Sequence, residues 1–360
     1  MAGDDAVQFG LGEPDFQPPE IAIEAFADAM REGKNKYTST SGLPPLRKKI
    51  SELWTHLHPD LDESNVCITM SGTNALLDIF LAIVNPGDKV LLPEPYFPLY
   101  PPDVVICGGE PTFYPCNFEN GFVPSIEDLE RRVDEDTVAV LYNFPGNPTG
   151  GNVTEEQRDQ LVEFARSHDL WIITDEVYDR IVYDSPHVSF LGAGYDRLVM
   201  VQSFSKTFAM TGWRIGYLLS PDQDLMNELT KMQYYVTACT NEAMQYAVLE
   251  VLEKYPEYPE EMCAEFKARR DLICSRLNDM PGVSCHVPTG AFYVFPRVTI
   301  PGMNSEEISL KLLENGVLCT PGTAFGEAGE GHLRFAYTIG REDISRGMDR
   351  VEEVLKKLRD

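Results

Sequence analysis

Ser203-Phe-Ser-Lys-Thr-Phe-Ala-Met-Thr-Gly-Trp-Arg-Ile-Gly216 sets one lysine among small hydroxylic residues, with an arginine eight places on and glycines at 212 and 216. The apolar run Leu198 to Val201 just before it reads as a buried strand, so Lys206 emerges at a strand end rather than on a solvated helix face. A desolvated lysine loses its proton more readily and can attack an aldehyde carbon. The Arg214 fork matches phosphate oxygens bidentately, and the hydroxyls of Ser203 and Ser205 add short donors. The stretch therefore reads as a lysine prepared for imine chemistry beside a phosphate.

Working outward, Trp171-Ile-Ile-Thr-Asp-Glu-Val-Tyr178 carries strand residues into Asp175, at the end of a strand where ligands of open α/β sheets collect. Alone, that aspartate reads equally well as a helix N-cap. Val138 to Leu141 is another apolar strand, opening into the turn-forming Asn143-Phe-Pro-Gly-Asn-Pro-Thr-Gly-Gly151. Thr69-Met-Ser-Gly-Thr-Asn-Ala-Leu-Leu-Asp78 passes from strand through small residues into a helix. Backbone N–H groups at such a start, near Ser71, Gly72 and Thr73, bind an anion or are simply capped. In Leu91-Leu-Pro-Glu-Pro-Tyr-Phe-Pro-Leu-Tyr100, prolines fix a turn that presents two adjacent aromatics. Gly10-Leu-Gly-Glu-Pro-Asp-Phe16 is no dinucleotide loop, because a third glycine and a helix start are missing. Arg334 sits inside the apolar strand pattern Gly331-His-Leu-Arg-Phe-Ala-Tyr-Thr338, a costly position unless it meets an anion or lies on an exposed edge.

In this order, these segments resemble the motifs of the class I/II aminotransferases, pyridoxal 5'-phosphate enzymes of fold type I, and in particular the aspartate aminotransferase-like subgroup. The resemblance implies that Lys206 carries the cofactor. It assigns the cofactor phosphate to Ser203, Arg214 and Ser205, with Ser71, Gly72 and Thr73 at the helix start. Asp175 then keeps the ring nitrogen protonated, Asn147 and Tyr178 share the ring's phenolic oxygen, and Phe97 stacks on the ring. Gly12 and Asn147 lie against the substrate, and Arg334 clamps its α-carboxylate. Tyr37, in Lys36-Tyr-Thr-Ser-Thr-Ser-Gly-Leu-Pro-Pro-Leu-Arg47, is implied to reach the phosphate of a neighbouring subunit, which makes a homodimer with composite sites. Catalysis would rest on Lys206, Asp175 and Tyr178.

The implied reaction moves an amino group between an L-amino acid and a 2-oxo acid. A β-lyase or decarboxylase would share every motif. A cofactor-binding regulator would add a DNA-binding domain, of which no basic patch gives a sign. Thr73 stands where dicarboxylate-preferring relatives resemble one another in carrying a lysine, and Leu11 where a small hydroxylic residue is common. Neutral donors, alanine, branched or aromatic, are therefore expected over aspartate, with Phe9, Leu11 and Tyr96 as candidate apolar surface. An aspartate aminotransferase is the alternative.

Composition is consistent with this. Thirty basic against 57 acidic residues give a net charge of −27, which disfavours nucleic acid and anionic membrane surfaces as partners. The eight cysteines form no Cys-x-x-Cys pair and no metal-ligand grouping with the six histidines, as expected of reduced thiols in a cytoplasmic protein without a structural metal. The first residues, Met-Ala-Gly-Asp-Asp, lack the basic start and apolar segment of a signal peptide, and no run of 18 or more apolar residues occurs. The N-terminal helix usual in the family before Gly10 is largely missing.

A chain of 360 residues exceeds a single core. Strand-like runs at about 66–70, 89–92, 138–141, 171–174, 198–201 and 215–219 alternate with helical patterns such as 154–168, as in a mainly parallel α/β sheet. Helical patterns follow at 225–253, 259–279, 305–315 and 341–358. The expectation, with the resemblance, is a large domain with a mainly parallel seven-stranded sheet over residues 31–255 and a smaller α+β domain over 256–360. Residues 1–30 are expected to pack with the smaller one.

Overall fold

The computed structural model describes residues 5–359. Seven strands form the main sheet: β1 (Val66–Thr69), β2 (Lys89–Glu94), β3 (Glu110–Pro115), β4 (Thr137–Asn143), β5 (Trp171–Asp175), β6 (Leu198–Ser203) and β7 (Gly216–Leu219). Their order across the sheet is β1-β7-β6-β5-β4-β2-β3. All neighbours run parallel except those of β7, which is antiparallel to both β1 and β6. Helices cover both faces of such a sheet, which is why the central strands read as unbroken apolar runs. The edge strand β3 is absent from the expected set. Two of its six residues are proline and most of its side chains are only half-buried, a pattern that a sheet tolerates only at its edge.

Register sets the site. Asn143 at the end of β4 pairs with Asp175 at the end of β5, and Asp175 pairs with Val201, two residues before Ser203 on β6. Three loop-bearing strand ends thus open side by side. The helix Gly72–Ile83 starts close to them, with Ser71 Oγ accepting from Asn74 N at 3.1 Å. Strand β7 passes so near that a Cβ on Gly216 would stand 2.9 Å from Gly72 N, so only glycine fits.

The expected helix at 225–253 is two helices, Gln223–Thr237 and Glu242–Lys254. Ala238 turns the chain through a positive φ of 62°, and Asn241 caps the second helix by accepting from Met244 N at 3.0 Å. Buried positions recur at helical spacing on both sides of this break, at Leu225, Met226, Leu229 and Gln233 and at Ala243, Ala247, Val248, Val251 and Leu252, so the pattern reads as continuous.

The C-terminal part carries its own antiparallel sheet, in which Leu333–Ala336 lies between Tyr293–Val294 and Thr320–Pro321. Its core includes Phe266, Phe292, Phe335, Tyr337 and Met348, and Val7 and Phe9 join it from the other end of the chain. Asp15 is held there by two hydrogen bonds from Arg269, at 2.7 and 3.0 Å. The helix Glu20–Arg31 departs from the expected packing of residues 1–30: it lies on helix Glu242–Lys254, with Ala22 in the core shared by Leu46, Ile50 and Val248. Among the described residues, no helix is long and apolar enough to cross a membrane.

Candidate active site

A cavity of about 340 Å³ opens at the C-terminal ends of β4, β5 and β6. It is lined by Gly12, Ser71, Gly72, Thr73, Phe97, Asn147, Asp175, Tyr178, Ser203, Ser205, Lys206, Arg214 and Arg334, thirteen of the fourteen expected site residues. Tyr37 is the exception. It is 90% exposed and takes no part in the cavity of its own chain.

Lys206 rises from the short helix Phe204–Thr207 that follows β6, and its Nζ donates to the Gly12 carbonyl at 2.7 Å. Burial pulls its amine down from 10.5 to about 8. The Glu13 carboxylate opposes this, while the Arg334 and Arg214 guanidiniums add to it. Gly12 must be glycine, since a Cβ there would fall 2.0 Å from the Tyr293 hydroxyl.

Asp175 faces the same space from the end of β5. Burial raises its carboxyl from 3.8 to about 6, against the hydrogen bond from Tyr100 and the Val177 N–H. Its main-chain carbonyl accepts from Asn143 Nδ2 at 3.0 Å, while Asn143 Oδ1 accepts from Asn147 N at 2.9 Å. Asn143 thereby fixes the Asn147 turn against Asp175. The Tyr178 hydroxyl lies 3.0 Å from that of Tyr293.

Arg334 comes from the middle of the C-terminal strand, 9% exposed between the rings of Tyr293 and Phe325 at 4.7 and 4.8 Å. It donates to Asn147 Oδ1 at 3.0 Å, the Gly10 carbonyl at 2.7 Å and Thr320 Oγ1 at 3.4 Å. Among the described residues no carboxylate pairs with it, and its Nε is buried without a partner. A guanidinium has five N–H groups, so donors remain for an incoming anion. A buried cation without a counter-charge is expensive, and an anionic ligand would offset that cost.

Arg214, which also lines the cavity, holds a positive φ of 56°, rare for a residue with a side chain, and is fixed by donating to the Thr211 carbonyl at 2.7 Å. Thr211 donates in turn to Glu13. Ser203 Oγ accepts from Ser205 N at 3.1 Å. Arg214, Ser203, Ser205 and the first turn of helix Gly72–Ile83 all line this cavity, a set of donors chemically suited to an anion.

Sequence reasoning missed Tyr100, Asn143, Tyr293 and Thr211 as members of this cavity. Tyr100, Asn143 and Thr211 stand inside motifs already noticed. Nothing in the Gly-Ala-Phe-Tyr run at 290–293 marks Tyr293, because its place depends on a strand pairing with Ala336. Of the apolar surface expected for a neutral side chain, only Leu11 lines the cavity. Phe9 is fully buried against Phe335, and Tyr96 stacks on Phe113, so both serve packing.

Comparison with known proteins agrees with the geometry. The model of the family described as aminotransferase class I and II matches residues 4–351. An aspartate aminotransferase of Pyrococcus horikoshii is 35% identical over 358 residues, covering 98% of this chain and 91% of that protein. The aromatic-amino-acid aminotransferase 2 of Thermococcus litoralis is 38% identical over 359 residues, covering 98% and 92%. Among solved structures, an alanine aminotransferase from Pyrococcus furiosus superposes with a TM-score of 0.95 at 34% identity, over 99% of this chain and 93% of that one. The three names give three different donors and one reaction type. The chain accordingly belongs to the class I and II aminotransferases, as an amino-acid transaminase of the pyridoxal-phosphate fold type I.

Proposed function

We propose that this chain holds pyridoxal 5'-phosphate in the cavity between Lys206 and Asp175 and moves amino groups from neutral L-amino acids to 2-oxo acids. The observation that carries the reading is Arg334, a buried guanidinium with an unpartnered Nε and no carboxylate of its own, in the same cavity as a lysine whose amine is depressed to about 8.

The residues fit the cofactor. Arg214, Ser203, Ser205, Ser71 and the N–H groups near Gly72 and Thr73 suit a phosphate, Phe97 offers a ring face, and the volume suits a small ligand. Asp175 suits the ring nitrogen, and Asn147 and Tyr178 the phenolic oxygen. Bound pyridoxal phosphate supplies an electron-withdrawing ring that stabilises negative charge at the substrate Cα. Arg334 grips the α-carboxylate and so orients the Cα–H bond, with Asn147 and Gly12 beside it. Lys206 Nζ, near neutrality by burial, takes the proton from Cα and returns it.

The donor preference follows from the cations at hand. Those lining the cavity are Lys206, Arg214 and Arg334, each with a task above, and Leu11 stands 58% exposed at its mouth. A side-chain carboxylate would lie there unpaired, which costs far more than the roughly 0.8 kcal/mol each buried methylene contributes. The exposure of Tyr37, Tyr234 and Tyr235 supports a homodimer in which Tyr37 serves the neighbouring site. We further propose that the large sheet and the C-terminal part, with residues 5–18 attached to the latter, are the two domains.

A panel of alanine, leucine, phenylalanine and aspartate against 2-oxoglutarate and pyruvate tests the reading. Neutral donors should exceed aspartate in kcat/KM. A clear aspartate preference overturns the donor assignment, and turnover that needs no 2-oxo acid overturns transamination in favour of a lyase.

A further inference from the structure

Tyr100 is fully buried, and its phenolic oxygen lies 2.7 Å from Asp175 Oδ2. It opens the helix Tyr100–Ile106, and its ring meets Phe97 edge to face at 5.5 Å between centroids. Burial holds the phenol well above its usual range, so it keeps its proton and donates. The other carboxylate oxygen accepts from Val177 N at 3.3 Å. Among the described residues, no basic side chain is within ion-pair distance of Asp175. The neutral phenol is therefore the side-chain donor that favours the charged form of this buried carboxylate.

We propose that Tyr100 is a positioning residue for transamination: its phenol keeps the Asp175 carboxylate ionised and aimed, so that the proton between this carboxylate and the cofactor's ring nitrogen stays on the nitrogen. The proposal rests on the reading that Asp175 faces that nitrogen. A hydrogen bond donated to a carboxylate lowers its basicity, and removing the donor raises it. Without the phenol the shared proton moves toward oxygen, and the ring loses the positive charge that draws electrons from the substrate. The same side chain touches Phe97, so one residue joins the wall that stacks on the ring to the group that charges it.

The test is the nitrogen-15 resonance of ring-labelled pyridoxal phosphate bound to the full chain. Tyr100→Phe keeps the ring and removes the oxygen. Its resonance should move toward the unprotonated position, with kcat falling about tenfold or more and KM within about twofold. An unchanged resonance overturns the proposal. Asp175→Asn separates the two layers. If it leaves the resonance in place, the reading of Asp175 falls and the proposal with it; if it moves the resonance while Tyr100→Phe does not, only the role of Tyr100 falls. Phe97→Leu disturbs the same packing without touching the hydrogen bond and should leave the nitrogen resonance unmoved. A shift as large as that of Tyr100→Phe would assign the effect to packing and overturn the proposal.

Discussion

Replacing Arg334 by lysine keeps the charge and removes the fork. The substrate α-carboxylate then loses one of two charge-assisted hydrogen bonds, worth about 1.5–3 kcal/mol. The guanidinium also stacks between Tyr293 and Phe325 at 4.7 and 4.8 Å, and each such contact contributes about 0.5–1 kcal/mol that an ammonium in the same space does not recover in full. The stacking is the same with either substrate and bears on packing, so the loss that depends on the carboxylate is about 1.5–3 kcal/mol, or roughly 10- to 150-fold in kcat/KM at 1.36 kcal/mol per decade. The assay is transamination of an L-amino acid set beside that of the matching amine, which lacks the carboxylate. Arg334→Lys should lower the first by this amount and the second by less than about threefold, a loss ascribed to repacking alone. Equal losses for both substrates would mean that Arg334 shapes the cavity rather than binds the carboxylate, and the reasoning from its unpartnered Nε would fail.

The other predictions concern protons and subunits. Because the Lys206 amine sits near 8, attachment of pyridoxal phosphate to cofactor-free protein should quicken tenfold per pH unit up to about 8 and then level off; levelling near 10.5 would mean a solvated lysine. Asp78 is fully buried with one oxygen unpartnered, and burial raises its carboxyl from 3.8 to about 7. The folded chain thus holds a proton that the unfolded chain has lost between those values, and the penalty is complete only above about 7. Asp78→Asn should therefore stabilise the protein in urea unfolding at pH 8, by on the order of 4 kcal/mol at most, with the gain vanishing toward pH 3. Mixing Lys206→Ala chains with Tyr37→Phe chains should restore activity, since one site of each heterodimer then holds both native residues; no recovery means that Tyr37 does not serve a neighbour.

What was legible in the sequence was whatever a local pattern encodes. Six sheet strands were visible as apolar runs because helices bury both faces, and Lys206, Asp175 and Asn147 were visible because each ends or follows such a run. Edge strand β3 is hidden by its prolines and its half-exposed pattern, and the break at Ala238 by buried positions that recur at helical spacing on both sides of it. Tyr293 and Tyr100 enter the site through long-range packing: one pairs with a strand some forty residues on, and the other bonds an aspartate 75 residues away. Phe9 and Tyr96 show the converse: apolar residues flanking a site motif look like substrate surface in sequence, but packing against Phe335 and Phe113 takes them up.

Lys206 is the proposed point of cofactor attachment, on which every other role in the cavity depends. Borohydride reduction of the holoenzyme followed by peptide mapping reads this directly. The pyridoxyl label should fall on Lys206 alone, and Lys206→Ala should lose both the label and the visible absorption band. A label on any other lysine, or an unchanged band in Lys206→Ala, would contradict the account.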